Sequence, residues 1–436
     1  MKHRYTIALV LLALGLVTLS VILHRQVLAT QFVLEDAFVR VSVVVLFGFL
    51  VLLVIRYLGL LWFSYLDQLE DQELPDMRQY PMVSIIVPCF NEGTVVQSSI
   101  RSLLELDYPN YEILVIDDGS TDDTYRKANE MAGRHEGGAE VRVIRKPNGG
   151  KSRALNRGIR SARGSIVLCM DGDSRLTPDT VREGVKHFMD PSIAAVAGNV
   201  KVINRENLIS KLQALEYIEG LNMARKAQGF FRMVNIIPGP IGMFRKSALF
   251  EVGLYEHDTY AEDCDLTLKL LLAGFKVVYE RRCVALTEAP EELLDLLKQR
   301  YRWTRGILQA VRKHSNLLWK PFATPANSLI LWYMVFEGLV WPAMNIFANV
   351  FFVIVGIKYG MTELLFFWWT QLTILDIAAA LFCVAIEEED LRLAFYAVYY
   401  RVFFITVIDV CKVMATLEEL MGTQMSWGKL ERKGRI

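Results

Sequence analysis

The sequence predicts an α/β domain with a mostly parallel sheet, flanked by membrane-spanning and interfacial helices. Three observations carry that expectation. Apolar strand-like runs alternate with helical stretches between residues 82 and 170. Apolar segments of membrane length lie toward both ends. The 436 residues are 53% hydrophobic with a mean hydropathy of +0.28, too apolar for a single soluble domain.

The elements follow in order. Residues 5–23 are almost all apolar and long enough for a membrane helix of ~20 residues. Lys2 and Arg4 precede them. A signal peptide cleaved near Ala29 is the alternative, and the length of the apolar run argues against it. A second span covers 41–63 and contains Arg56; residues 67–76 are an acidic, polar linker. Strands are then expected at 83–87, ended by Pro88, at 112–116, ended by Asp117, at 141–144 and at 165–170. Helices around 94–105, 122–133 and 151–162 separate them. Such alternation argues for parallel strands covered on both faces. Ligands then sit beyond the carboxyl ends of the strands, where the acids at 117–118 and 171–173 fall.

After residue 290 the chain becomes amphipathic. Leu293, Leu296, Leu297, Tyr301, Ile307, Leu308 and Val311 share one face, with Lys298, Arg302, Arg305, Arg312 and Lys313 supplying charge, as in helices of the membrane interface. Apolar stretches follow at 328–357, 364–386 and 395–415. Glu337 and Pro342 suggest that the first is partly re-entrant. Asp409 and Lys412 are spaced to pair along one helical face, while Arg401 and Asp409 are expected to face a polar path or another helix. Five spans would put the two ends on opposite sides, yet Lys429, Arg432, Lys433 and Arg435 favour a cytoplasmic tail; the sequence leaves this open. The expected organisation is 1–66 with two spans, 67–290 as the α/β domain, 291–325 as interface helices, and 326–436 as a membrane region with a basic tail.

Charge balance excludes one class. With 48 basic and 48 acidic residues, the balance argues against a nucleic-acid binder, which would show a basic face. The six cysteines (Cys89, Cys169, Cys264, Cys283, Cys383, Cys411) form no CxxC pair, which implies reduced thiols.

Several motifs can carry chemistry. Asp171-Gly172-Asp173 closes a strand, and two carboxylates at that spacing can hold a divalent cation with a diphosphate; the bland alternative is a polar turn. Asp117-Asp118-Gly119-Ser120 ends a strand and opens a helix, suited to a nucleobase or ribose, or simply to capping. Asn148-Gly149-Gly150-Lys151-Ser152 fails as a phosphate loop because Arg145 stands where glycine is required, though Lys151 can still touch a phosphate or sugar. Glu262-Asp263 opens a helix closed by Gly274; it is either a first-turn acid pair or a general base for an acceptor hydroxyl. In Gln299-Arg300-Tyr301-Arg302-Trp303, Arg302 suits a diphosphate and Trp303 offers a flat face to a sugar, while both residue types also belong at membrane interfaces.

The order of these motifs resembles glycosyltransferase family 2, specifically its processive membrane synthases of poly-β-1,6-N-acetylglucosamine, hyaluronan, chitin and cellulose. The resemblance covers essentially the whole chain. Asp117-Asp118, Asp171-Gly172-Asp173, Ala261-Glu262-Asp263 and Gln299 to Trp303 match the DD, DxD, (T/E)ED-like and QxxRW pattern. Pro88-Cys89-Phe90-Asn91-Glu92 looks like the first nucleotide-binding turn and Gly239-Pro240 like the acceptor-side loop. The resemblance implies a Rossmann-like GT-A fold and a cytosolic catalytic domain in a multi-pass protein of the plasma (inner) membrane. It implies Mg²⁺ or Mn²⁺ on Asp171 and Asp173. Donor contacts would come from Pro88, Asn91, Glu92, Asp117, Asp118, Lys151, Asp171, Gly172 and Arg302. Asp263 would be the base beside Glu262, and Gly239, Pro240, Gln299 and Trp303 would meet the acceptor. Its expected partners are a UDP-sugar, with UDP-N-acetylglucosamine favoured, a growing polysaccharide, the bilayer, and a small accessory membrane subunit. Ala261 departs from the usual threonine. No soluble sensing domain follows the last apolar stretch, which disfavours bacterial cellulose synthase. The alternatives are a transferase moving one sugar to a polyprenyl phosphate, and a non-catalytic subunit or transporter with a decayed domain.

Overall fold

The computed structural model describes residues 36–423, apart from 71–73, 136 and 321–323, together with four residues between 15 and 25. Most of the expected first span, the Ala29 cleavage point and the basic tail lie outside the described residues.

Nine strands form one sheet: β1 Val83–Cys89, β2 Tyr111–Asp117, β3 Gly133–Arg134, β4 Glu140–Arg145, β5 Ile166–Cys169, β6 Ser174–Leu176, β7 Ile193–Val202, β8 Gly242–Arg245 and β9 Lys276–Thr287. Their order is β3-β4-β2-β1-β5-β8-β7-β9-β6. The run β4-β2-β1-β5 is parallel, as expected. Every residue of β1 and β2 is buried, because helices cover both faces. Beyond β5 the sheet turns mixed: β8 is antiparallel to both β5 and β7, while β7 and β9 are again parallel.

Pro88 does not end its strand. β1 runs on through Cys89, paired with Asp117. The Cys89 carbonyl accepts the Asp118 amide on the β2 side, so by strand alternation Pro88 turns its missing N–H toward β5. The β5 ladder has already stopped at Ile86, and no bond is lost there.

Among the described residues, four helices are long and apolar enough to cross a membrane: Ala37–Leu69, Pro325–Tyr359, Leu365–Ile386 and Leu391–Leu420. The first of the C-terminal three is one unbroken helix from Pro325 to Tyr359. It passes through Glu337 as a π-helical turn, Phe336–Val340, and continues as Trp341–Tyr359. Glu337 is compatible with that environment because it pairs with Arg56 from the Ala37–Glu70 helix, whose guanidinium also lies 4.3 Å from the Trp341 ring. Arg401 likewise faces another helix: it pairs with Asp376, whose Oδ1 accepts Tyr57 Oη–H at 2.9 Å. Asp409 also faces another helix: its Oδ2 accepts Asn345 Nδ2 at 2.6 Å, and it shares a cavity wall with Lys412.

The helix Leu293–Lys313 joins the two regions. Leu296 is part of the membrane-helix core, Trp303 packs on one face of the sheet, and Ala310 and Val311 belong to the core on the other.

Candidate active site

The carboxyl end of the parallel strands carries two linked groups of residues. At β1 and β2, the loops brace one another. Asn91, held at a φ of +52°, accepts the Thr121 amide at 2.8 Å, and its own amide donates to Ser120 Oγ at 2.9 Å. The Glu92 amide donates to Thr124 Oγ1 at 2.7 Å. Gly119 needs its glycine: its φ is +74°, and a Cβ would stand 2.7 Å from the Asn148 amide.

Asp118 organises the next loop. Its carboxylate pairs with Lys146 and accepts the Gly149 and Gly150 amides at 3.1 and 2.7 Å. Asp117 is fully buried, accepts the Ser120 amide at 3.2 Å and lies 3.2 Å from Arg145 Nε. Both expected donor acids are therefore built into the loops that shape this edge. Arg145, which spoils the phosphate-loop motif, serves as Asp117's counter-charge.

The second group lines a cavity of about 180 Å³. Lys151, Asp171, Gly239, Pro240, Glu262, Asp263, Gln299, Arg302 and Trp303 all contribute to it. Pro88, Asn91, Glu92, Asp117, Asp118, Gly172 and Asp173 lie outside its wall. Five distant segments therefore converge, which spacing along the chain cannot reveal. The cavity is also walled by Tyr217, Arg225, Tyr260, Thr287 and Glu288, none of which the sequence signalled.

Lys151 is the electrostatic centre. Its Nζ lies 2.6 Å from Asp171 and 3.1 Å from Glu262. Burial works against the charge, but Asp171, Glu262 and Asp263 together hold the ammonium well above the usual lysine range. Asp263 is pushed up to about 6, by burial first and by Glu262 second, with Lys151 opposing. A carboxylate in that range is near the optimum for proton transfer at neutral pH. Glu262, Asp263 and Asp265 sit in the first turn of helix Glu262–Leu272, where the helix dipole favours negative charge.

The backbone is drawn tightly round the Asp171 pair. A Cβ at Gly239 would fall 3.0 Å from both Asp171 Oδ2 and Lys151 Nζ, and one at Gly172 would fall 2.1 Å from Glu92 Oε2. On the helix side, Arg300 pairs with Glu216 and places its guanidinium 4.2 Å from the Trp303 ring centre, so one face of the indole is already taken. Gln299 accepts from Arg300 Nη1, which fixes the amide's orientation.

Three comparisons bear on this arrangement. A family model described as Glycosyl transferase family 2 matches residues 84–253. A poly-beta-1,6-N-acetyl-D-glucosamine synthase of Staphylococcus epidermidis is 30% identical over 374 residues, covering 81% of this chain and 88% of the relative. The chain belongs to glycosyl transferase family 2. A synthase of the same name from Staphylococcus aureus (strain COL) is 31% identical over 260 residues, covering 59% of this chain and 61% of that one. Among solved structures, the mannosyltransferase PcManGT from Pyrobaculum calidifontis, in complex with GDP-Man and Mn²⁺, superposes with a TM-score of 0.61 at 20% identity, covering 86% of this chain and 98% of that one. The family 2 domain is thus a glycosyltransferase of the GT-A fold, and the chain carries membrane-type helices beside it.

Proposed function

We propose that this enzyme is a processive, inverting β-glycosyltransferase that polymerises a UDP-sugar, with UDP-N-acetylglucosamine favoured, and extrudes the polysaccharide across the membrane. The observation that carries this reading is the shared cavity: Lys151, Asp171, Glu262 and Asp263 from the α/β domain face Gln299, Arg302 and Trp303 from the helix that leads into the membrane bundle. A growing chain held against that helix meets the donor beside Asp263. The likeness to poly-beta-1,6-N-acetyl-D-glucosamine synthases supports the choice of sugar.

In this reading Asp263 takes the proton from the terminal hydroxyl of the acceptor, whose oxygen attacks the anomeric carbon as UDP departs from the opposite face, inverting it. Glu262 and Lys151 set the charge around that transfer. Pro88, Asn91, Glu92, Asp117 and Asp118 shape the nucleotide edge, and Arg302 contacts the diphosphate. Gly239 and Pro240, with Gln299 and Trp303, meet the acceptor.

Asp171 and Asp173 would hold Mg²⁺ or Mn²⁺. The fit rests on Gly239, whose missing side chain leaves room beside the Asp171 carboxylate, on Gly172, which lets Glu92 approach, and on the oxygen donor set. Mn²⁺ in the mannosyltransferase of like fold is consistent with it. When bound, the cation neutralises charge on the leaving diphosphate. Residues 67–290 form the cytosolic domain, 1–66 and 326–436 anchor it in the plasma (inner) membrane, and 291–325 lie at the interface. A small accessory membrane subunit completes the expected assembly.

The test is direct. Purified full-length protein is incubated with each UDP-sugar and Mg²⁺ or Mn²⁺, and UDP release and product size are measured. UDP-N-acetylglucosamine should give polymer, and excess EDTA should abolish it. Full turnover in chelator contradicts the metal assignment, and absence of polymer from every UDP-sugar contradicts the polymerase reading.

A further inference from the structure

The helix that carries Asp263 begins without a cap. Its preceding residue, Ala261, has no side-chain oxygen to cap the first turn, and Asp263 itself takes the Cys264 amide at 2.8 Å. The loop is fixed from outside instead, by one face of helix Leu293–Lys313. A Cβ at Gly306 would fall 2.5 Å from the Ala261 amide, so the two backbones touch. Gln309 Oε1 accepts the Tyr260 amide at 3.0 Å. Lys313 Nζ donates to Asp265 Oδ2 at 2.9 Å. Residues 306, 309 and 313 are spaced to share a helical face.

Gln309 is itself oriented. Its Nε2 donates to Glu419 Oε2 at 3.1 Å, which fixes the amide so that its oxygen faces Tyr260. The same carboxylate oxygen accepts Arg305 Nε at 2.7 Å, and Arg305 Nη2 reaches the Thr423 carbonyl at 2.6 Å. Glu419 sits at the end of Thr406–Leu420, the close of the last apolar helical segment described. A continuous relay therefore runs from that segment, through Glu419 and Gln309, to the backbone two residues before Glu262.

We propose that Gln309, oriented by Glu419, is a positioning residue that holds Asp263 against the acceptor, so that the last membrane-type helix sets the placement of the base. The inference rests on the reading of Asp263 as general base. It places the acceptor proton transfer, and not donor binding, under the control of the bundle.

The experiment uses the full-length protein with the UDP-sugar that supports turnover. Displacement of a catalytic group by ~1 Å can cost up to ~100-fold, so Gln309→Ala and Glu419→Ala should each lower kcat for sugar incorporation by about tenfold or more. KM for the donor should stay within about twofold, since the nucleotide edge is untouched. UDP released per sugar incorporated should rise. Glu419→Gln keeps an oxygen that accepts from both Gln309 and Arg305, and should restore coupling. The double alanine variant should be no worse than the poorer single, because one relay is broken once. Wild-type incorporation in both alanine variants would overturn the proposal. So would a Glu419→Gln variant as poor as Glu419→Ala, or a loss that only tracks the folded fraction. Asp263→Asn is the separate control: normal polymer from it sinks the base reading, whereas an inactive Asp263→Asn beside a normal Gln309→Ala sinks the positioning inference alone.

Discussion

The α/β domain and the membrane-type bundle both bury charge, and they neutralise it differently. At the carboxyl end of the sheet, acids take backbone amides as well as basic side chains: Asp118 takes two glycine amides beside Lys146, and Asp263 accepts the Cys264 amide at 2.8 Å. In the bundle, charges are satisfied by side chains far away in sequence, as in Arg56 with Glu337 and Arg401 with Asp376. The difference has a consequence. A carboxylate held by amides can exchange partners with a substrate at little cost to the fold. An ion pair locked between helices cannot, because removing one partner strands the other in an apolar medium.

Substitutions break this contrast in graded ways. Asp263→Asn should leave donor binding intact and lower polymer formation by ~10²–10⁴-fold, the usual loss of a general base. Equilibrium binding of the UDP-sugar beside an incorporation assay checks it, and collapse of donor affinity would make Asp263 a binding residue. Asp376→Asn should act on the fold, destabilising by ~3–5 kcal/mol by leaving Arg401 without its counter-charge. Thermal unfolding in detergent reads that loss, and the paired replacement of Asp376 and Arg401 by leucine should recover most of it.

The pH profile sharpens the comparison further. Burial and Glu262 raise Asp263 to about 6. A base works only when deprotonated, so incorporation should be level above that pH and fall about tenfold per unit below it. The profile of Asp263→Asn should lack this limb. The smallest effect is expected from Trp303→Ala. Arg300 covers one face of the indole, and Trp303 still lines the cavity, where stacking on a sugar would be worth ~0.5–1.5 kcal/mol by analogy with aromatic pairs. Product should shorten while donor binding persists. Normal chain length from matched amounts of folded enzyme would reduce Trp303 to a packing residue.

What the sequence made legible follows the same division. The parallel half was readable because β1, β2 and β5 are apolar runs closed by turn residues, and the motif acids stand at their ends. The mixed half was hidden. β7 is broken by Gly198-Asn199 and Lys201, β8 has only four residues, and β9 carries Glu280-Arg281-Arg282 in its middle. Those charges are tolerated because Glu280 meets His187 at 2.8 Å and Arg281 reaches Glu388 at 3.6 Å, partners that no local pattern announces. Gln309, Gly306 and Glu419 were invisible for the same reason: each acts only through a contact with a remote segment. Lys151 was seen as a residue suited to a phosphate or sugar; its place among three acids needed the fold.

The central claim is that donor chemistry and a held, growing chain share one cavity. The size distribution of product at early turnover, with donor and acceptor primer both in large excess over enzyme, tests it most directly. The account predicts a few long chains beside a large pool of unextended primer. Uniform addition of one sugar to every acceptor, or short chains lengthening in step, would contradict it.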